Sequence, residues 1–175
     1  MATTMPDITV IRPNGSPESA LEGTELAATA DEVRLLGFPK TLFEFDVGIE
    51  RRFLADRETT LSVTVDLLTG TCRKNDTYPD LQPRTLSSTS LLNPRVDRDA
   101  AADTAHTFVR RTITQTYTTF TAPRIDPVRE ETVFKLFWVV PSPSSSTVTV
   151  IDTITNRLVA EDVELDAFTD DPSIE

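Results

Sequence analysis

One cysteine, Cys72, and one histidine, His106, are all that the 175 residues hold of either type. A single cysteine excludes an internal disulfide and a cysteine-built metal site, and a single histidine excludes every site that needs two imidazoles. Glycine is scarce too. The five glycines (15, 23, 37, 48 and 70) never come closer than eight positions apart, so there is no glycine-rich phosphate loop. The longest apolar run, Leu136–Val140, is five residues, far short of a membrane-spanning helix. Met1 to Asp7 carries neither a basic stretch nor an apolar core, so a cytoplasmic chain without an export signal is expected. Lysine is the last shortage: three residues (40, 74 and 135) against fourteen arginines.

Acid is what the chain has in plenty. Its 28 Asp and Glu against 17 Lys and Arg give a formal charge of −11 and a pI near 4.5. Excess acid with little lysine resembles the cytoplasmic proteins of salt-accumulating archaea. The resemblance implies a surface whose self-repulsion is screened at molar salt, where the Debye length is about 3 Å. In such a medium net charge reports the solvent, and −11 argues only weakly against a nucleic-acid partner.

Hydropathy patterning predicts one compact domain between soft ends. Residues 1–17 read as a flexible N-terminal tail with room for a short strand at Ile8–Ile11. Leu21, Leu26, Ala30, Val33 and Leu36 predict helix over Glu18–Leu36, weakened at Gly23 and ended by Gly37-Phe38-Pro39. From Thr41 the period becomes two: Phe43, Phe45, Val47 and Ile49 make one strand, Leu61, Val63 and Val65 a second. These form a first helix-hairpin half, 18–73. Residues 74–95, with three prolines, read as a linker or crossover. A second half, 96–165, opens on a helix capped by Asp97 and running to about Gln115, followed by strands at 128–140, 147–151 and 157–163. An acidic tail, 166–175, closes the chain.

The two halves share a pattern. Asp66-Leu-Leu-Thr69-Gly70 ends one strand and Asp152-Thr-Ile-Thr155-Asn156 another, at a constant offset of 86 residues. Gly70 or Asn156 supplies a left-handed position, and Asp66 or Asp152 is expected to cap its turn through backbone N–H groups. A helix followed by a hairpin whose second strand ends in Asp-x-x-Thr-Gly resembles the PepSY-like module, here in two copies. That resemblance implies a binding or inhibitory role. Together these readings predict an α+β fold: an antiparallel sheet of five to seven strands with two helices packed on one face, in two related halves.

No catalytic residue, metal site or cofactor is assigned. His106 sits on the shoulder of the apolar helix face and reads as a packing residue, Cys72 as a buried thiol. Glu44, Asp46 and Glu50 share a strand face by parity, the pattern of a solvated acidic surface. Residues 128–140 are apolar on both parities toward their end, so the strand is either covered twice or meets a partner. Phe134, Leu136, Trp138 and Val140 are therefore the candidate partner-binding side chains. The expected function is a non-enzymatic binding or accessory protein using a protein–protein interface on the sheet, with another protein or a second copy of itself, and no membrane. A nucleic-acid or nucleotide-binding protein working through Arg51, Arg52, Arg110 and Arg111 is the alternative. A metal-dependent hydrolase is a further one.

Overall fold

The computed structural model describes residues 5–22, 24, 26, 28–143 and 145–170. Gly23, residues 1–4 of the N-terminal tail and residues 171–175 of the acidic C-terminal tail lie outside the described residues. Eight strands are present among them: β1 (Asp7–Ile11), β2 (Arg34–Ile49), β3 (Arg57–Asp66), β4 (Cys72–Asn75), β5 (Leu81–Thr85), β6 (Arg124–Pro141), β7 (Val148–Asp152) and β8 (Leu158–Val163). The helices are α1 (Pro17–Glu22), α2 (Arg98–Thr116) and α3 (Leu165–Asp170). The strands follow the hydrogen-bonded order β4-β3-β2-β6-β1-β5, with β7 on β6 and β8 on β7. The β1–β6 pair is parallel at Val10 and Phe134, whereas β1–β5, β2–β3, β3–β4, β6–β7 and β7–β8 are antiparallel.

The expected antiparallel sheet of five to seven strands with two helices on one face is thus corrected to a mixed eight-stranded sheet with one long helix. The PepSY-like module is corrected with it, because the helix that would open its first copy does not form. Among the described residues of 18–36 only those of α1 are α-helical. The Thr24 N–H and hydroxyl both donate to Leu21 O, which closes the turn after α1. The apolar residues there recur at mixed spacings, so no single helical stripe holds them all. Instead Leu21, Leu26, Ala28, Val33 and Leu35 lie as a strap against Ala20, Trp138, Val140 and Ile151. Gly37-Phe38-Pro39 is interior to β2 rather than a helix stop. Tertiary burial overrides local propensity at this point.

By contact the chain divides into two units, Met1–Pro39 with Asp80–Asn93 and Val133–Glu175, and Lys40–Pro79 with Pro94–Thr132. In the second, Phe43, Phe45, Val47 and Ile49 of β2 and Leu61, Val63 and Val65 of β3 pack against Ala101, Ala105, Val109 and Ile113 of α2. The four-residue spacing on α2 makes one apolar stripe, with alanines where the helix begins and branched residues where it ends. Asp97 Oδ1 accepts from Ala100 N–H at 2.8 Å and starts the helix. Truncating Ile113 to alanine in this core should cost about 2–5 kcal/mol.

In the first unit, β1 pairs with β5, a strand within the segment read as linker or crossover. Here the Leu136–Val140 stretch of β6 is covered on both faces. The strap and α1 cover the Trp138 side, and Phe137 joins Phe38 and Phe168 of α3 in an edge-to-face trio with centroids 4.9–5.8 Å apart.

Candidate functional site

Both repeat-marked aspartates close turns, by the same four bonds. Asp66 Oδ1 accepts from the N–H groups of Leu68 (2.7 Å) and Thr69 (3.0 Å), and Asp152 Oδ1 from those of Ile154 (2.7 Å) and Thr155 (3.3 Å). Gly70 N–H donates to Asp66 O and Asn156 N–H to Asp152 O; Asp66 N–H donates to Thr71 O and Asp152 N–H to Arg157 O. Gly70 has φ +76° and Asn156 φ +53°. Each aspartate also meets a lysine on its second oxygen: Lys40 Nζ lies 2.9 Å from Asp66 Oδ2, and Lys135 Nζ 3.2 Å from Asp152 Oδ2. Two of the three lysines are thus spent on turns. Burial works against ionised Asp66, but the Lys40 charge and the bonds from Lys40, Thr69 and Leu68 outweigh it, and its pKa is lowered.

The candidate partner-binding side chains are inside the protein. Leu136, Trp138 and Val140 are buried and Phe134 is half-buried. With the strap over the Trp138 side and Phe38 and Phe168 over the other, this strand takes the doubly covered alternative.

Most of the candidate arginines have a local partner. Arg51 donates through two nitrogens to Ala55 O, at 2.9 and 2.6 Å, and so folds its own loop. The Arg52 guanidinium lies over the rings of Phe53 and Phe120, 5.3 and 5.6 Å from the centroids. Arg110 and Arg111 are exposed on α2, with Arg111 over Phe108. Arg98, Arg124 and Arg129 pair with Glu130, Glu58 and Glu131.

Other candidates for chemistry are dispersed. Asp46 accepts from the Thr60 hydroxyl and Glu50 from the Thr121 hydroxyl, while Glu44 is half-buried. His106 is half-buried and meets Phe45 edge-on. Burial pushes the Cys72 thiol up to about 12, with the Arg111 charge pulling the other way. Among the described residues no group of three or more His, Cys, Asp or Glu is placed to hold a metal ion, and no helix is long and apolar enough to cross a membrane.

What the structure does assemble is an apolar tip. Phe53 is 86% exposed, Leu54 65% and Phe120 63%. Two loops meet there: Phe120 N–H donates to Glu50 O, and the Thr121 hydroxyl to Glu50 Oε2. Arg52 lies over one ring from each loop, and Arg57 stands over Tyr117, 4.9 Å from its centroid.

No match joins this chain to any family model, curated protein or solved structure compared with it. The tip therefore stands on its own geometry. A sequence signal for half of it existed, in Phe53-Leu54 set between Arg51-Arg52 and Ala55-Asp56 where the strand alternation breaks. Phe120 gave none, because only the fold brings its loop beside Glu50.

Proposed function

We propose that this chain is a non-enzymatic binding protein whose contact surface is the tip formed by Phe53, Leu54 and Phe120 around Arg52. The observation that carries this reading is three large apolar side chains held in water at the meeting of two tethered loops. Leaving them exposed forgoes about 1.5–3 kcal/mol of burial for each, a cost that a partner's surface would recover. Phenylalanine and arginine are also enriched in protein–protein interfaces relative to the rest of a surface. This reading moves the interface from the sheet face to the end of the β2–β3 hairpin. It keeps a protein partner or a second copy, and the cytoplasmic setting expected from the sequence.

Site-specific photo-crosslinking tests it. A photoreactive amino acid at Leu54, introduced in the native host, should give a discrete crosslinked protein, which a control probe at exposed Thr85 does not give. Phe53→Ser with Phe120→Ser should abolish the adduct without unfolding the chain. Crosslinks only to nucleic acid, or none, would reject the reading.

A further inference from the structure

β3 is longer than the strand beside it. β4 pairs only with Ser62–Val65, whereas β3 begins at Arg57. In an antiparallel sheet both main-chain groups of a residue point to the same side, and the side alternates along the strand. Asp66 bonds toward β4 through N–H and C=O alike, and the β2–β3 register runs unbroken from Arg57 to Asp66. Alternation therefore turns the N–H and C=O of Thr64 and Ser62 toward β4, and those of Thr60 and Glu58 toward the space beyond its end. Among the described residues no strand stands there.

Beside Thr60 that space opens on a cavity of about 430 Å³. Thr59 to Ser62 form one wall, Asn75 to Tyr78 bound it where β4 ends, and the last turns of α2 form the far side through Thr112, Ile113, Thr116 and Tyr117. Two other margins of the sheet, β5 and β8, are defended. β5 carries Pro83, which has no N–H to offer, and β8 carries Glu161 and Asp162 with a register shift and a positive φ at Asp162. The Glu58–Thr60 stretch has no proline and no register shift; its one charged residue, Glu58, is paired with Arg124, and the stretch continues directly from the loop that carries Phe53 and Leu54.

We propose that the Glu58–Thr60 edge of β3 is a strand-addition site for an extended peptide segment of a protein partner, a proposal that rests on the reading of this chain as a binding protein. Main-chain donors and acceptors on alternate residues are matched by another extended backbone and by few other ligands. Alternate side chains of the added strand point toward α2, where Leu61, Ile113 and Tyr117 favour a medium-sized apolar residue and the hydroxyls of Thr112 and Thr116 tolerate threonine.

Random dodecapeptides displayed on phage, selected on the immobilised full chain, are the probe. Selection should enrich peptides with alternating β-branched residues. Their binding should fall on the order of tenfold or more on Thr60→Pro, which removes an outward N–H and leaves the β2 ladder intact. Thr116→Trp fills the cavity from the exposed last turn of α2 and should weaken the same peptides should Thr60→Pro fail to fold. Hydrogen exchange at Glu58 and Thr60 should be fast in the free protein and slow on adding a selected peptide. No enrichment, or enriched peptides indifferent to both substitutions, would overturn the proposal. A Leu54 crosslink that persists beside that result would leave the binding reading standing and remove only the strand-addition site.

Discussion

Lys40 Nζ and Asp66 Oδ2 stand 2.9 Å apart with side chains only 2% and 6% exposed, and the same aspartate closes the β3–β4 turn. Asp66→Asn keeps a capping oxygen but removes the charge that faces Lys40. Breaking one side of a buried pair costs about 3–5 kcal/mol. The equivalent Asp152→Asn should cost less, because Lys135 and Asp152 are 16% and 12% exposed and better served by water. Lys40→Met combined with Asp66→Asn should recover much of the loss. Urea unfolding of the two single variants and the double variant measures the coupling, and additive effects would show that the pair is not a unit.

Acid should act through the same aspartate. Its pKa is lowered in the folded chain, so its contribution is complete above the ordinary carboxylate range. That contribution declines as pH falls below about 4 and is lost once pH passes the lower folded value. Stability measured from about pH 6 down to 2 should therefore drop more steeply for the wild type than for Asp66→Asn. Parallel curves would assign acid sensitivity to other carboxylates.

Much of the second unit is legible in the sequence because its signals are local. The Asp97 cap, the four-residue spacing on α2, the parity of Phe43 to Ile49 and the Asp66 turn all occur where the sequence marks them, as does the Asp152 turn of the first unit. The strap at 26–35 is not legible. Its composition favours helix, and only the need to cover Trp138 and Val140 explains why Leu26, Ala28, Val33 and Leu35 pack against them without one. The parallel pairing of β1 with β6 is equally invisible, since it joins residues more than a hundred positions apart. The tip fails in part for a similar reason: Phe120 becomes a neighbour of Arg52 only after the sheet forms.

The two turns share their hydrogen bonds but differ in their left-handed residue. Gly70 at φ +76° has no Cβ to strain, so Gly70→Ala should cost about 1–2 kcal/mol. Asn156→Gly should cost markedly less or stabilise. Asn156 Oδ1 is buried without a hydrogen-bond partner among the described residues, so glycine relieves that group as well as the backbone. Thermal unfolding of both variants compares them directly. Equal penalties would mean that the Asn156 side chain is doing something the hydrogen bonds do not show.

Cys72 should be a slow nucleophile. Its thiol is pushed up to about 12 by burial, with Arg111 only partly offsetting that, so very little thiolate exists near neutrality. Iodoacetamide at about pH 8 should modify the native chain far more slowly than the same chain in denaturant. Lys40→Met with Asp66→Asn, if folded, should leave that native rate unchanged, because neither residue contributes to the thiol's shift. Rapid native labelling would show that the α2–β4 side opens on the timescale of the reaction.

Trp138 is the only tryptophan and is 5% exposed, beneath the strap formed by Leu26, Ala28, Val33 and Leu35. Among the described residues its Nε1 has no hydrogen-bond partner, and its packing neighbours Val140, Ile151, Leu26 and Val33 are apolar. Its emission should be blue-shifted and poorly quenched by acrylamide, and both properties should be unchanged on dilution. A strand that met a partner through this side chain would behave otherwise: emission would move red as the complex dissociated. Leu26→Ser thins the strap without touching β6 and should raise acrylamide quenching with little change in the sheet's circular dichroism. If quenching is already high in the wild type, the strap does not hold Trp138 from water, and the β6 face regains its claim as an interface.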